Sequence, residues 1–223
     1  MKVKVIDNIL KRLFDITFSL VGLLVLLPLF IFIAIRIKLD SEGPVFYRGG
    51  RVGKFGKLFS IYKFSTMVAD ADKISRSSSA GDDDPRITKF GRFLRTYKLN
   101  ELPQLINVLK GEMSFVGPRP QVEWDVKLYT EEEKAILSVT PGITDYASIR
   151  FHNEGEILRG SIDPDKAYAE KIRPEKLKLQ LEYVRTRSLW VDFKILVKTF
   201  RALLGTRISF LRCKKVSLNE SRN

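Results

Sequence analysis

Residues 95–120 carry the densest set of groups suited to phosphate chemistry. Arg95 and Lys98 precede Asn100-Glu101, Pro103 follows, and the stretch closes on Pro118-Arg119-Pro120. Asn is a favoured helix N-cap, Glu suits the positive end of the helix dipole, and Pro is tolerated in a first turn. Residues 98–105 therefore predict a helix start with Asn100 as its cap, and helix initiation alone accounts for much of their identity. The same geometry has a chemical use. A helix N-terminus aims free N–H groups outward and attracts phosphate. Arg95, Lys98 and Arg119 add cations. A guanidinium flanked by Pro118 and Pro120 has little backbone freedom, which suits clamping a diphosphate.

These groups must be held by a chain of 223 residues, enough for one domain plus an anchor. Its 39 Lys and Arg outnumber 26 Asp and Glu, a net charge of +13. That excess calls for an anionic partner: nucleic acid, anionic lipid or a phosphorylated substrate. The single cysteine, Cys213, excludes an intramolecular disulfide, and the single histidine, His152, excludes a His-rich metal site. No helix-turn-helix, zinc pattern or aromatic RNA-binding motif accompanies the charge, so a nucleic-acid partner is not expected.

Ile16 to Ile35 is a run of twenty residues without a charge. At about 1.5 Å per residue it matches the roughly 30 Å depth of a bilayer core. Pro28 lies past its middle, where it removes a helix hydrogen bond and marks a break. Basic residues flank both ends: Lys2, Lys4, Lys11 and Arg12 before it, Arg36, Lys38, Arg48, Arg51, Lys54 and Lys57 after it. Positive charge marks the cytoplasmic side, so a re-entrant helix–break–helix is favoured over a span. Asp15 falls at helical spacing from Lys11 and Arg12, which predicts a local ion pair.

Residues 43–67 are basic and Gly-punctuated, with Phe46, Val52, Phe55, Leu58, Ile61 and Phe64 in loose alternation, a hairpin pattern. No P-loop is present: Gly56-Lys57 and Gly53-Lys54 would need glycines where Arg51 and Arg48 stand. Residues 70–84 are nearly devoid of apolar side chains and read as a surface loop. Asp82-Asp83-Asp84 fits a solvated acidic turn better than a cation site. Residues 190–204 place Phe193, Leu196, Val197, Phe200, Leu203 and Leu204 on one helical stripe beside Lys194, Lys198 and Arg201, a pattern suited to the headgroup layer of anionic lipid.

The motifs FSIYKFSTM at 59–67, DDPRITKFGRFLR at 83–95, LNELPQLINVLKGEMSFVGPRP at 99–120 and PGIT at 141–144, with the basic and apolar start, cover most of residues 10–200. In these the chain resembles the monotopic polyprenyl-phosphate phosphoglycosyltransferases, bacterial sugar transferases that begin surface glycans such as capsule, exopolysaccharide and lipopolysaccharide O-antigen. The resemblance implies an enzyme that uses a UDP-sugar and Mg²⁺, passes sugar 1-phosphate to undecaprenyl phosphate, and releases UMP at the cytoplasmic face of the inner membrane. It implies an α+β, mainly helical fold with a re-entrant membrane helix, interfacial amphipathic helices and a small β-hairpin element. The expected divisions are an anchor over 1–40, a catalytic domain over 41–205 and a basic tail over 206–223. A homodimer is compatible with this plan.

The resemblance also maps a site. The family's catalytic Asp-Glu pair falls on Asn100-Glu101, which would also be the metal ligands. Arg95 and Arg119 match phosphate-contacting arginines, Lys63 the lysine of the strand motif, and Asp192 a late acidic residue. The departure is Asn100, where the family has a nucleophilic Asp. A carboxamide is neutral and its nitrogen lone pair is delocalised, so it is a poor nucleophile. Three readings stay open here: Glu101 as nucleophile or as metal ligand for direct transfer, an Asp changed to Asn, or a catalytically impaired, binding-only membrane scaffold. Leu27 before Pro28, where relatives often carry Ser, is a second departure. Past PGIT the sequence diverges, and Arg150, Asn153 and Glu154 are candidates for reading the sugar.

Overall fold

The computed structural model describes residues 2–71 and 81–202. It is mainly helical with two small sheets. The first element, α1 (Lys2–Asp40), is one 39-residue helix that runs through Pro28, so the helix break expected at that proline does not form. Among the described residues it is the one helix long and apolar enough to cross a membrane. One stripe, at Asp15, Ser19, Phe30, Ile33 and Ile37, is buried, while Leu20, Val21, Leu24, Val25, Leu27, Ile31, Phe32 and Ile35 are exposed. The three- and four-residue steps of the buried set put it on a single face. Phe30, Ile33 and Ile37 share a core with Phe64 and Leu94, so α1 is packed onto the domain.

The expected hairpin forms. β1 (Phe46–Val52) pairs antiparallel with β2 (Leu58–Phe64), from Phe46 opposite Phe64 to Val52 opposite Leu58. The turn needs positive φ at Phe55 and Gly56. Val52, Ile61 and Phe64 are buried, but the two-residue side-chain period puts Ile61 and Phe64 on opposite faces: Phe64 packs against α1 and Ile61 against Val108 and Met113. Next come α2 (Lys89–Thr96), capped by the Thr88 hydroxyl accepting from Gly91 N–H at 2.9 Å, and α3 (Gln104–Lys110), closed by Gly111 in the left-handed region. α3 is pinned to β2 through buried Asn107, which accepts from Tyr62 N–H (2.9 Å) and donates to Ser60 O (2.8 Å).

A second sheet was not foreseen: β3 (Ser114–Val116) runs parallel to β4 (Gly142–Thr144). The chains cross so closely here that a Cβ on Gly142 would lie 2.1 Å from the Gly117 nitrogen. Gly is the residue that permits such an approach. Short helices follow: α4 (Glu123–Val126), placed before β4 in the chain, then α5 (Tyr146–Arg150), α6 (Glu154–Ile157) and α7 (Pro164–Lys171). The domain closes with α8 (Arg173–Thr186) and a helix over 189–202, α9.

Several expectations need correction. Asp15 is not in a local ion pair at the helix mouth. It is buried and accepts hydrogen bonds from Ser114 Oγ (3.2 Å) and Phe115 N–H (3.1 Å). Its helical neighbours turn elsewhere: Arg12 donates to the Val108 and Leu109 carbonyls that end α3, and Lys11 to Val116 O and Asp192. Tertiary partners displaced the i−3 and i−4 pairs. The acidic turn is also engaged. Asp84 holds Arg86 by 2.7–3.2 Å bonds, Asp83 accepts from Gly160 N–H (2.9 Å), and Asp82 pairs with Arg159 (3.5 Å). On α9, Phe193 and Phe200 of the apolar stripe are exposed, and Trp190 stacks on Phe193. Leu203, Leu204, Cys213 and the basic tail lie outside the described residues.

Candidate active site

Lys63, Glu101 and Arg119 come from three elements and meet. Lys63 is near the end of β2, Glu101 ends a 3-10 turn over Leu99–Glu101, and Arg119 follows β3. Glu101 accepts from Lys63 Nζ (2.8 Å) and from Arg119 Nη1 (3.1 Å) and Nη2. Burial works against the Glu101 charge. The Arg119 and Lys63 charges, with their hydrogen bonds, outweigh it and hold the carboxyl well below the usual carboxylate range. Lys63 is pushed down to about 8 by burial, reinforced by Arg119 and Arg51 and opposed by Glu101. Arg119 is raised: Glu101 overcomes its desolvation.

Arg95, at the end of α2, is half-buried and donates through Nε to Thr66 Oγ1 at 3.0 Å. Its pKa is lowered by burial. Arg51 of β1 is lowered for the same reason. Both cations, like Lys63 and Arg119, feel Glu101. Four partly desolvated cations thus lie around Glu101 in a cleft of ≈ 2360 Å³, whose walls also include Asn100, Asn153, Glu154 and, on the Arg95 side, Asp82. Glu101 alone does not balance the cations clustered around it, so this part of the cleft suits a polyanion. Its volume exceeds the ~300–1,000 Å³ of a single small-molecule site.

Asn100 does not cap a helix. The 3-10 turn intervenes, α3 starts at Gln104, and Pro103 occupies its cap position. The turn is entered through Lys98 in the left-handed region, at φ 55°. Asn100 Oδ1 is buried and, among the described residues, without a hydrogen-bond partner. A buried carbonyl oxygen left unpaired is costly, and here it borders the cleft that collects the cations. Pro118 and Pro120 line a small hollow behind Arg119 with Tyr129 and Ile136. Asp192 does not join the cluster. It binds Lys11, and accepts from the Tyr183 hydroxyl at 2.7 Å. It thereby ties α9 to the start of α1 and to α8. Arg150 turns to Glu175 (3.1 Å) at the exposed surface.

Three positioning groups escaped the sequence reading. Asp145 is fully buried, and its Oδ2 accepts from Arg119 N–H (3.2 Å) and Gln180 Nε2 (3.2 Å). Gln180 Nε2 also lies 3.3 Å from Arg119 O. Both backbone polar groups of Arg119 are therefore held from α5 and α8, and Gly142 N–H donates to Pro118 O (3.0 Å) beside them. Arg51, which flanks the apolar run in the sequence, lies on β1 and lines the cleft; its only local signal is its place in the hairpin pattern.

Known proteins share this frame. The family model for bacterial sugar transferases matches residues 6–206. The undecaprenyl-phosphate glucose phosphotransferase of Komagataeibacter xylinus is 37% identical over 210 residues, covering 92% of this chain and 37% of that one. The UDP-glucose:undecaprenyl-phosphate glucose-1-phosphate transferase of Escherichia coli K12 is 39% identical over 198 residues, covering 87% and 40%. The exopolysaccharide production protein PSS of Rhizobium leguminosarum bv. phaseoli is 40% identical over 200 residues, covering 86% and 94%. The chain thus spans about two fifths of the length of the larger relatives and nearly all of the smaller. With the match running from the apolar helix through the Lys63, Glu101 and Arg119 motifs to α9, the chain belongs to the bacterial sugar transferase family.

Proposed function

We propose that the protein transfers sugar 1-phosphate from a UDP-sugar to undecaprenyl phosphate, releasing UMP, at the cytoplasmic face of the bacterial inner membrane. The carrying observation is the cluster of Arg51, Lys63, Arg95 and Arg119 around Glu101 in one cleft. Phosphoryl transfer depends mainly on positioning and on neutralising charge, and these cations supply both.

The site favours direct transfer. Both Glu101 oxygens are engaged by Lys63 and Arg119, and its basicity is depressed, so it suits holding those cations better than attacking phosphorus. Asn100 is a poor nucleophile for the reason given above. A phosphate oxygen of the lipid then bonds to the sugar-bearing phosphorus. The bond from that phosphorus to the bridging oxygen breaks, and UMP departs with the electron pair. Arg119 and Lys63 bear the charge that develops. Mg²⁺ requires only one or two protein oxygens beside water and substrate phosphate. The unpaired Asn100 oxygen is the group that would hold it, since both Glu101 oxygens are taken by Lys63 and Arg119, and a bound Mg²⁺ would further neutralise the diphosphate.

The anchor is read as re-entrant. Lys11 and Arg12 bond to β3 and α3, whereas Ile37 and Asp40 bind the same domain near α2, where Asp40 accepts from Phe90 N–H (3.0 Å). A helix that crossed the bilayer would put these ends on opposite faces, where one domain could not hold both. Exposed Trp190, Phe193 and Phe200 on α9 suit the headgroup layer.

The test uses purified protein with UDP-glucose labelled in the β-phosphate and sugar, undecaprenyl phosphate and Mg²⁺. UMP release that requires the lipid, with no label left on the protein, is expected. No UMP from any of a panel of UDP-sugars overturns the activity. UMP release without lipid, with labelled protein, overturns direct transfer.

A further inference from the structure

Beyond Arg119 the cleft reaches a second charged pair. Glu154 opens α6, and Lys176 sits in the first turn of α8; both line the cleft with Arg119. Lys176 is 6% exposed, and its ammonium lies 4.8 Å from the centre of the Tyr168 ring. Its carboxylate partner, Glu154 Oε2, is 3.4 Å away, longer than the roughly 2.7–2.9 Å of a tight ion pair. An ammonium carries three donors, so this pair leaves capacity for a ligand oxygen. Glu154 Oε1 has no hydrogen-bond partner among the described residues. The Glu154 charge acts on Arg119, and the Arg119 charge acts on Lys176, so the three lie within one electrostatic neighbourhood.

We propose that Glu154 and Lys176 form the subsite that reads the ring hydroxyls of the donor sugar, and that the donor carries a neutral hexopyranose. This rests on the reading that a UDP-sugar fills the cleft. The sugar is bonded directly to the diphosphate, so a diphosphate held by Arg119 puts the ring beside Arg119's neighbours. A vicinal diol offers hydroxyl donors to the carboxylate and an acceptor oxygen to the ammonium. The order of exposure sets the selectivity. The Glu154 side chain is 36% exposed and that of Lys176 is 7%, so an entering sugar meets the carboxylate first. A hexuronate would bring like charge against Glu154 and be rejected. Of the other sequence candidates, Asn153 lines the cleft and is bonded to Glu156 (3.3 Å), while Arg150 lies outside it.

The experiment compares wild type with Glu154→Gln, whose partly exposed side chain leaves the core intact. Calorimetry gives affinities for UDP, UDP-glucose and UDP-glucuronate on the full chain in detergent. The expected result is about tenfold weaker UDP-glucose binding, unchanged UDP binding, and narrower discrimination against UDP-glucuronate. Lys176→Met should weaken UDP-glucose in the same sense, again sparing UDP. If the wild type binds both UDP and UDP-glucose and neither variant alters the UDP-glucose to UDP ratio, the subsite is refuted while the donor cleft stands. If the wild type binds neither, both readings fall.

Discussion

Replacing Glu101 with Gln keeps the shape of the side chain and removes the one carboxylate that Lys63 and Arg119 share. Losing a partner of a buried ion pair costs about 3–5 kcal/mol, and a surface pair about 0–1 kcal/mol. These side chains are 19–24% exposed, nearer the buried limit, so we expect a loss of ~2–3 kcal/mol. In a chain of this size each kcal/mol lowers Tm by roughly 2–4 °C, giving a fall of about 4–12 °C. The same change strengthens the site for anions, because nothing competes for the cations. Pyrophosphate should bind Glu101→Gln more tightly than wild type. At 100 times its Kd a ligand returns about 2.7 kcal/mol, enough to restore the unliganded wild-type Tm. Transfer should nevertheless fall by ~100-fold or more, as when a preorganised charge-stabilising group is removed. Scanning fluorimetry with and without pyrophosphate reads both halves. A variant as stable as wild type, or one that binds pyrophosphate less well, refutes the view that Glu101 serves as the internal counter-ion of an anion site.

Lys63 makes a pH prediction. Its pKa of about 8 lies below the ordinary 10.5, so the folded chain releases a proton in that window and unliganded stability should rise from pH 8 toward 10.5. A bound diphosphate restores the charge. Binding of UDP-glucose, whose diphosphate diester does not titrate in this range, should take up about half a proton at pH 8 and nearly none at pH 6, measured by calorimetry in buffers of different ionisation heat. Asp145→Ala removes the acceptor of Arg119 N–H and one of the two acceptors of Gln180 Nε2. At about 1.5–3 kcal/mol for charge-assisted bonds it should raise KM for the donor some 10–100-fold, and Asp145→Asn, which keeps an acceptor oxygen, should recover much of that. Equal KM values in all three proteins would remove Asp145 from the site. Lys11→Met leaves the Asp192 carboxylate buried without its cation. It should cost ~2–3 kcal/mol by thermal unfolding, and a double variant with Asp192→Asn should cost less than the sum.

What the sequence disclosed follows the range of the forces involved. The apolar run gave α1, and alternation with a glycine-rich turn gave the β1–β2 hairpin, because both patterns are local. Lys63, Arg95 and Arg119 were recognisable from motif resemblance, and the structure brings Lys63 and Arg119 onto Glu101. Local rules failed where a distant partner was stronger. Asp15 has two cations at helical spacing, yet β3 offers a buried hydroxyl and a backbone N–H, so Lys11 is released to Asp192, 181 residues away. Gln180 and Lys176 gave no local signal, and Asp145 gave only that of a helix cap, through Ser148 N–H. Their roles exist only after β3 pairs with β4 and α8 folds across them, and a three-residue parallel pair is too short to show a period.

Asn100 shows the two levels meeting. Its sequence neighbours predicted a helix cap, and a cap oxygen would have been consumed by backbone N–H groups. The left-handed Lys98 and the 3-10 turn displace the helix start to Gln104, so that oxygen is left buried beside the cation cluster with no donor. An oxygen spared from capping is available to a ligand. Changing Asn100 to Asp would place an anion at that point and give the cluster a second carboxylate with, unlike Glu101, no cation already bonded to it. Labelled donor should then leave sugar phosphate on the variant and none on the wild type. Label on both proteins would mean that Glu101 or another side chain attacks phosphorus, and the case for direct transfer would end there.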